Sequence, residues 1–401
     1  MQDAFIYDGI RTPFGRFGGQ LAGTRPDDML SLVIRTLVER NAFVPEQFED
    51  VIAGCSNQAG EDSRNVARHA ALLAGLPVSV AGQTVNRLCG SGLAAVMDVS
   101  RAIRCQEGEL YIAGGVESMS RAPYVLAKAD SPYARDQKLY DSVIGARFAN
   151  PRLEAGFGTD SMPETADNVA AELDLPRDQA DAFAARSQSL YQQALTRGFY
   201  DQELVPVEVS QGRKQPPLQI VADEHPRPGT SAEKLATLPP LFNGGVVTAG
   251  NASGINDGAA ALILGSQKAG EAAGVQPRGR IISCAVAGVE PRVMGLGPVP
   301  ASRKALERAG LTLADMDVIE INEAFAVQVL GCAKQLGLAF DDARFNANGG
   351  AIAIGHPLGA SGARLALTAL RQLEEKQERY ALVTLCIGVG QGIALIIERC
   401  R

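Results

Sequence analysis

The sequence predicts an α/β fold built from two like halves, with a long irregular segment inserted in the first. Three observations predict it. Short β-rich runs alternate with amphipathic helical stretches along most of the 401 residues. That pattern breaks from about Ser118 to Gly250, where twelve of the 21 prolines fall. After Ala269 the opening pattern returns.

Taken in order, Ala4 to Tyr7 reads as a strand and Asp28 to Arg40 as a helix. Asp50 to Gly54 is a buried strand, and Arg64 to Ala74 is helical. Cys89 ends an extended run. Gly90-Ser91-Gly92 follows, and then Leu93, Val96, Met97 and Ile103 recur at helical spacing. Leu110 to Gly115 is a strand ending in glycines. Inside the Pro-rich segment one helix stands out, with Pro176 near its first position, Ala180, Phe183, Ala184 and Leu190 on one face, and Gly198 past its end. An insertion of this length usually forms a lid or ligand-binding subdomain. Thr248 to Gly254 then leads into the strand Ala259 to Leu264.

The repeat is visible in three elements. Asp50-Val51-Ile52 recurs as Asp317-Val318-Ile319, an offset of 267 residues. Ser91-Gly92 recurs as Ser361-Gly362, an offset of 270, and Leu110 to Ala113 recurs as Ala381 to Leu385. The division expected is residues 1–268 as an N-terminal half carrying 118–250 as an inserted loop domain, and 269–401 as a C-terminal half. His356 then falls near the place that Cys89 holds in the first half.

Composition narrows the function. Hydrophobic residues make up 46% and charged residues 21%, as in ordinary globular proteins. A net charge of -7 and the absence of Trp argue against a nucleic-acid partner. Seven scattered cysteines without a C-x-x-C pair suit a reducing compartment, and three histidines with no Cys/His cluster argue against a metal site. No basic-then-apolar leader opens the chain and no apolar run reaches membrane-spanning length, so the cytoplasm is expected and a membrane partner is not.

Four clusters carry candidate chemistry. Cys89 stands beside the free N–H groups of a helix start, which predicts a stabilised thiolate with a lowered pKa. His356 sits between Gly355 and Pro357 just ahead of a helix. Cys386 leaves a buried strand into Gly388-Val389-Gly390, at the kind of strand end where α/β folds collect ligands. Asn322-Glu323 follows the apolar run Val318 to Ile321. The plain alternatives are packed core thiols for the cysteines and a helix cap for Asn322-Glu323. Two glycine-rich stretches mislead. Gly388 to Gly392 precedes a strand rather than a helix, and Gly355 to Gly362 lacks the Gly-Lys-Ser/Thr of a phosphate loop. His225 reads as a surface residue of a Pro-rich stretch and His69 as structural.

Together the motifs Asn86 to Ala95, Gly114 to Ser120, Asn251 to Gly254, Asn322 to Phe325, Gly355 to Pro357 and Cys386 to Gly388 resemble the thiolases, in order and over essentially the whole chain. Asn57 to Asp62 and Pro291 to Gly295 are most similar to members that act on 3-oxoadipyl-CoA in aromatic-compound catabolism. The resemblance implies a five-layered α-β-α-β-α fold of two duplicated halves with an inserted loop domain, assembled as a tetramer from two dimers. It implies CoA as co-substrate, an acyl-CoA as substrate, and no tightly bound cofactor.

It also implies roles. Cys89 would be the acylated nucleophile and His356 the base that activates it and then the CoA thiol. Cys386 would exchange the proton at the α-carbon of acetyl-CoA. Asn322 would hold a water that forms one oxyanion site with His356, while the N–H groups of Cys89 and Gly388 form the other. Ser253 and Arg227 would contact the pantetheine and nucleotide ends of CoA. The implied reaction is thiolysis of 3-oxoadipyl-CoA to succinyl-CoA and acetyl-CoA. A general acetyl-CoA acetyltransferase and a noncatalytic acyl-CoA-binding protein of the same fold are the alternatives. A dicarboxylic substrate needs a cation for its far end, and Arg64, Arg68, Arg87, Arg121 and Arg147 are the candidates.

Overall fold

The computed structural model describes residues 2–212 and 214–400. The elements that place the site are strands β1 (Phe5–Arg11), β2 (Asp50–Gly54), β3 (Ala81–Val85), β4 (Leu110–Ser118), β5 (Asn256–Gly265), β6 (Gly279–Gly288), β7 (Val318–Ile321), β8 (Tyr380–Ile387) and β9 (Gln391–Arg399). The helices are α1 (Pro26–Glu39), α2 (Val66–Leu73), α3 (Ser91–Arg104), α4 (Met162–Glu172), α5 (Arg177–Thr196), α6 (Pro298–Ala309), α7 (Ala326–Leu336) and α8 (Leu358–Lys376).

The strands run in the order β7-β8-β9-β6-β1-β5-β4-β2-β3. Pairing is mirrored about the β6–β1 junction. On one side β2 is parallel to β3 and β4, and β4, β5 and β1 follow antiparallel. On the other, β7 is parallel to β8, and β8, β9 and β6 follow antiparallel. A parallel bridge from Ile319 to Phe345 stands where β3 stands in the first half. The halves meet where Phe5 and Ile6 pair with Arg280 and Gly279.

Strand alternation sorts side chains into three cores. In β4, Ile112 and Val116 face α1 and α2 through Val33, Ile34 and Val66, while Tyr111 and Ala113 face a central core. In β8, Val383 and Leu385 face that central core, while Leu382 and Cys386 face Ala305 of α6 and Leu330 of α7. The central core is filled by α3 and α8. The result is the expected stacking of α1 and α2, sheet, α3 and α8, sheet, α6 and α7.

The two central helices touch backbone to backbone. A Cβ on Gly92 would lie 2.5 Å from the Gly359 carbonyl, and one on Gly362 would lie 2.2 Å from the Leu93 nitrogen. Only glycine permits this approach.

The inserted segment holds more helix than the single one expected. Besides α5 there is α4, closed by a reciprocal Ser161–Glu164 capping box, and a short helix Pro151–Phe157. Pro163 reads as a breaker in isolation. It stands in the first turn of α4, where the missing N–H costs nothing. Buried ion pairs fasten the insertion to the first half: Arg11 Nε lies 2.5 Å from Glu203 Oε1 and Nη1 2.6 Å from Asp223 Oδ1, all fully buried.

The glycine contact makes a prediction. Gly362→Ala should cost about 1–3 kcal/mol in denaturant unfolding, as overpacking does, and lower turnover by more than a surface control. An unchanged midpoint with unchanged activity would show that the helices can move apart freely.

Candidate active site

Cys89 and His356 hold matching positions, each two residues ahead of a central helix: Cys89 before Ser91 of α3, His356 before Leu358 of α8. The turn bearing Cys89 is tight. Leu88 has a left-handed φ of +46°, held because its N–H donates to Asn86 Oδ1 at 2.9 Å and its carbonyl accepts from Ser91 Oγ at 2.6 Å. The backbone N–H groups of Gly388 and of Cys89 itself lie within hydrogen-bonding reach of the sulfur.

His356 is 4% exposed. Its backbone N–H donates to Asn256 Oδ1 at 2.9 Å. Its Nδ1 lies 2.6 Å from Ser361 Oγ, and that hydroxyl donates to the Pro357 carbonyl at 2.9 Å. With its own proton committed, Ser361 accepts, so the network assigns the proton to Nδ1 and the lone pair to Nε2. Nε2 faces Asn322 Nδ2 at 3.3 Å, and Oδ1 of Asn322 has no partner among the described residues. Asn322 is fixed by its backbone N–H donating to the Thr384 carbonyl at 3.0 Å, which registers it against β8. Further along β8, Cys386 is buried, and the proximity of Cys89 adds to the upward push on its thiol.

Of the remaining expected residues, Ser253 donates its N–H to the Ala324 carbonyl at 2.9 Å, one residue beyond the Asn322-Glu323 pair. Arg227 stands apart from the thiols, exposed on the rim of a cleft of about 540 Å³ that also presents Gln188, Gln192 and Arg197 of the α5 region. A second cleft of about 220 Å³ shares Arg227 and continues past His225, Leu235 and Ala252 to Ile352, in the one-turn helix Ala351–Ile354 that precedes His356.

Residues 4–268 match the thiolase N-terminal domain and residues 275–399 the thiolase C-terminal domain. The chain belongs to the thiolase family. It is 58% identical over 401 residues to a β-ketoadipyl-CoA thiolase of Escherichia coli, covering 100% of both chains. It is 57% identical over 401 residues to the 3-oxoadipyl-CoA/3-oxo-5,6-dehydrosuberyl-CoA thiolase of Escherichia coli K12, again covering 100% of both. The crystal structure of human mitochondrial 3-ketoacyl-CoA thiolase in complex with CoA superposes with a TM-score of 0.92 at 38% identity, over 100% of this chain and 98% of that one.

The electrostatics of this thiolase correct one expectation. Burial pushes the Cys89 thiol up to about 11, and the nearby Glu117 carboxylate adds to the rise. The N–H groups of Gly388 and Cys89 pull the other way without overcoming it. The helix start does not leave a standing thiolate, because the sulfur lies at depth although part of Cys89 remains reachable. Burial pushes His356 the other way, down to about 3, with the Arg364 guanidinium adding to the shift. At rest the pair is a neutral thiol and a neutral imidazole. Burial also holds Cys386 as the thiol, well above the ordinary range.

Sequence reasoning missed three supports. Glu117 lies inside a quoted motif but had no assigned role. Its buried carboxylate accepts from the N–H of Ser56 (3.0 Å), Asn57 (3.0 Å) and Gly359 (2.9 Å), and from Ser56 Oγ (2.8 Å). It thereby ties the first half to the opening turn of α8. Ser361 marked the repeat, yet it also fixes the His356 tautomer. Glu323 braces the loop before His356, accepting from Ser187 Oγ at 2.6 Å and the Ile352 N–H at 3.1 Å. His225 is corrected as well: it is half-buried against Gly254 in the wall of the second cleft, and burial lowers it to about 4. His69 is exposed on α2.

A pH dependence follows. Between pH 5 and about 9 the thiol stays protonated and Nε2 stays free, because the first group titrates above that window and the second below it. Iodoacetamide alkylation of Cys89 should rise about tenfold per pH unit from 7 to 9, with no inflection near 6.5. A plateau at neutral pH would instead reveal a standing imidazolium–thiolate pair.

Proposed function

We propose that this thiolase cleaves 3-oxoadipyl-CoA with CoA, giving succinyl-CoA and acetyl-CoA, in the catabolism of aromatic compounds. For the chemistry, the observation that carries the reading is an imidazole with its proton fixed on Nδ1 ahead of one central helix, with Cys89 at the matching position ahead of the other and Cys386 near Cys89. For the substrate, support comes from full-length relatives at 57–58% identity whose names specify 3-oxoadipyl or β-ketoadipyl groups.

His356 Nε2 takes the Cys89 proton as the sulfur attacks the C3 ketone. The resulting alkoxide is received by an oxyanion site of N–H donors from Cys89 and Gly388 or of Asn322 water and His356. The C2–C3 bond breaks, and Cys386 gives its proton to the departing acetyl-CoA enolate. The His356 imidazolium returns its proton to the Cys386 thiolate. CoA then enters, the neutral His356 takes its thiol proton, and the CoA sulfur displaces Cys89 to release succinyl-CoA. That proton passes to the Cys89 thiolate. Cys89 and Cys386 recover their protons, so the cycle closes without a metal. Two thiols are needed because nucleophile and α-carbon acid act on different atoms; a Cys-His hydrolase would need only one.

The two clefts fit CoA. Arg227 would meet the nucleotide end, and Ser253, next to Ala252 of the second cleft, would meet the pantetheine arm as it passes toward Ile352. The division at residues 268 and 269 remains our proposal for the duplicated halves, as does the 118–250 insertion as a domain of its own. Self-association into a homotetramer is supported by Tyr124, Leu126, Tyr133, Leu139 and Ile144, which expose large apolar surfaces on and around one hairpin of the insertion. Among the described residues no helix is long and apolar enough to cross a membrane. The free cysteines support action in the cytoplasm.

The deciding assay is CoA-dependent thiolysis of 3-oxoadipyl-CoA beside acetoacetyl-CoA at equal enzyme concentration. We expect a large preference for the first, and loss of both activities in Cys89→Ser. Preference for acetoacetyl-CoA would make the chain a general acetyl-CoA acetyltransferase. Activity on neither would point to a binding protein.

A further inference from the structure

The proposed substrate leaves Cys89 carrying a four-carbon acyl group that ends in a carboxylate. Enclosed in an acyl pocket, that carboxylate needs a cation not already committed to another acid. The structure sorts the five candidate arginines. Arg121 is committed: its Nη2 donates to Glu61 Oε1 at 2.6 Å, its Nε bonds the other oxygen, and Arg25 shares the same carboxylate. Arg68 points its guanidinium at the carbonyls of Val78 and Val80. Arg64 is exposed ahead of α2. Arg87 and Arg147 are half-buried, and each meets only a neutral amide oxygen, Arg87 on Gln391 Oε1 at 3.3 Å and Arg147 on Asn57 Oδ1 at 3.2 Å. Among the described residues neither has a carboxylate within ion-pair distance.

The partner of Arg147 separates the two. Asn57 is buried, with its N–H on Glu117 and its side-chain Nδ2 on the Ser142 carbonyl at 2.9 Å. Next to it, the Ser56 carbonyl accepts from Asn86, three residues ahead of Cys89. The Asn57 loop is thus pinned between Glu117 and the approach to the nucleophile. Asn57 also opens the Asn57 to Asp62 run, one of the two stretches most similar to 3-oxoadipyl-CoA thiolases. Arg87 lies in the Asn86 to Ala95 stretch that carries the general thiolase resemblance, outside the two stretches most similar to the 3-oxoadipyl-CoA members. Resting on the reading above, we propose that Arg147 recognises the terminal carboxylate of the acyl group, its guanidinium oriented by Asn57 with Nε and Nη1 left for the ligand.

The test compares kcat/KM for 3-oxoadipyl-CoA and 3-oxohexanoyl-CoA, which has the same six-carbon length and a methyl group in place of the carboxylate. In Arg147→Ala we expect kcat/KM for 3-oxoadipyl-CoA to fall about 10- to 100-fold, chiefly through KM, while 3-oxohexanoyl-CoA is essentially unchanged. The preserved neutral substrate shows that the variant folds. Arg147→Lys should recover part of the loss, keeping charge without the planar fork, and Arg87→Ala should move both substrates together. If the wild type prefers 3-oxoadipyl-CoA and Arg147→Ala keeps that ratio, or if Arg87→Ala is the variant that abolishes it, Arg147 is not the carboxylate partner. A wild type that prefers 3-oxohexanoyl-CoA overturns the substrate reading itself, whatever the variants do.

Discussion

Everything at the centre of this molecule depends on how closely α3 and α8 approach. Each helix is led by a reactive residue at the same offset from its start, so the contact between the helices sets the spacing between thiol and imidazole. Gly92, Gly359 and Gly362 let the two backbones meet. Glu117 then reaches from the end of β4 to the Gly359 N–H, so the first half of the chain holds the opening turn of the second-half helix. A carboxylate at a helix N-terminus is favoured by the helix dipole as well as by its hydrogen bonds. This one spends both on registering the two halves against each other.

That central position brings an electrostatic constraint. A site between two sheets is poor in water, so charge there is costly. The cost appears in opposite directions on Cys89 and His356, raising the thiol and lowering the imidazole. A standing ion pair would be disfavoured twice. Charge is therefore best created only during reaction, when an alkoxide forms in front of N–H donors already in place. The Ser361–Pro357 hydrogen bond serves the same end, because it settles which imidazole nitrogen can act before substrate arrives.

Much of this was legible in the sequence, because it rests on local patterns. The strand Asp50 to Gly54 and the start of α3 follow from apolar spacing and glycines, and the repeat alone sets His356 near the place that Cys89 holds in the first half. The misses share one cause, that sequence shows neighbours along the chain and not depth. The Cys89 pKa was misjudged because a helix start can be read from Gly-Ser-Gly, whereas the burial that outweighs it cannot. His225 looked like surface because its Pro-rich neighbours did, and Gly254, which packs on it, lies far along the chain. Pro163 hid α4 because a proline in a first turn and a proline that breaks a helix look alike when the capping residues around it go unread.

The duplicated core and the insertion divide the work between reaction and recognition. On the proposed reaction the core would supply the groups that act on atoms common to every 3-oxoacyl-CoA: the ketone carbon, its oxygen and the α-carbon. Those groups lie on strand ends and helix starts, where neighbouring layers fix their geometry. On the proposed reading the insertion would meet the two far ends of the substrate, the invariant nucleotide of CoA at Arg227 and the variable acyl end at Arg147 beside Asn57. Its anchoring follows the same logic. Arg11 grips Glu203 and Asp223 in a fully buried cluster, and Glu323 grips Ser187, so α5 and the cleft it lines are held to both halves. On that reading specificity could change through the insertion and the loop at Asn57 while the close contact between α3 and α8 keeps Cys89 and His356 in place.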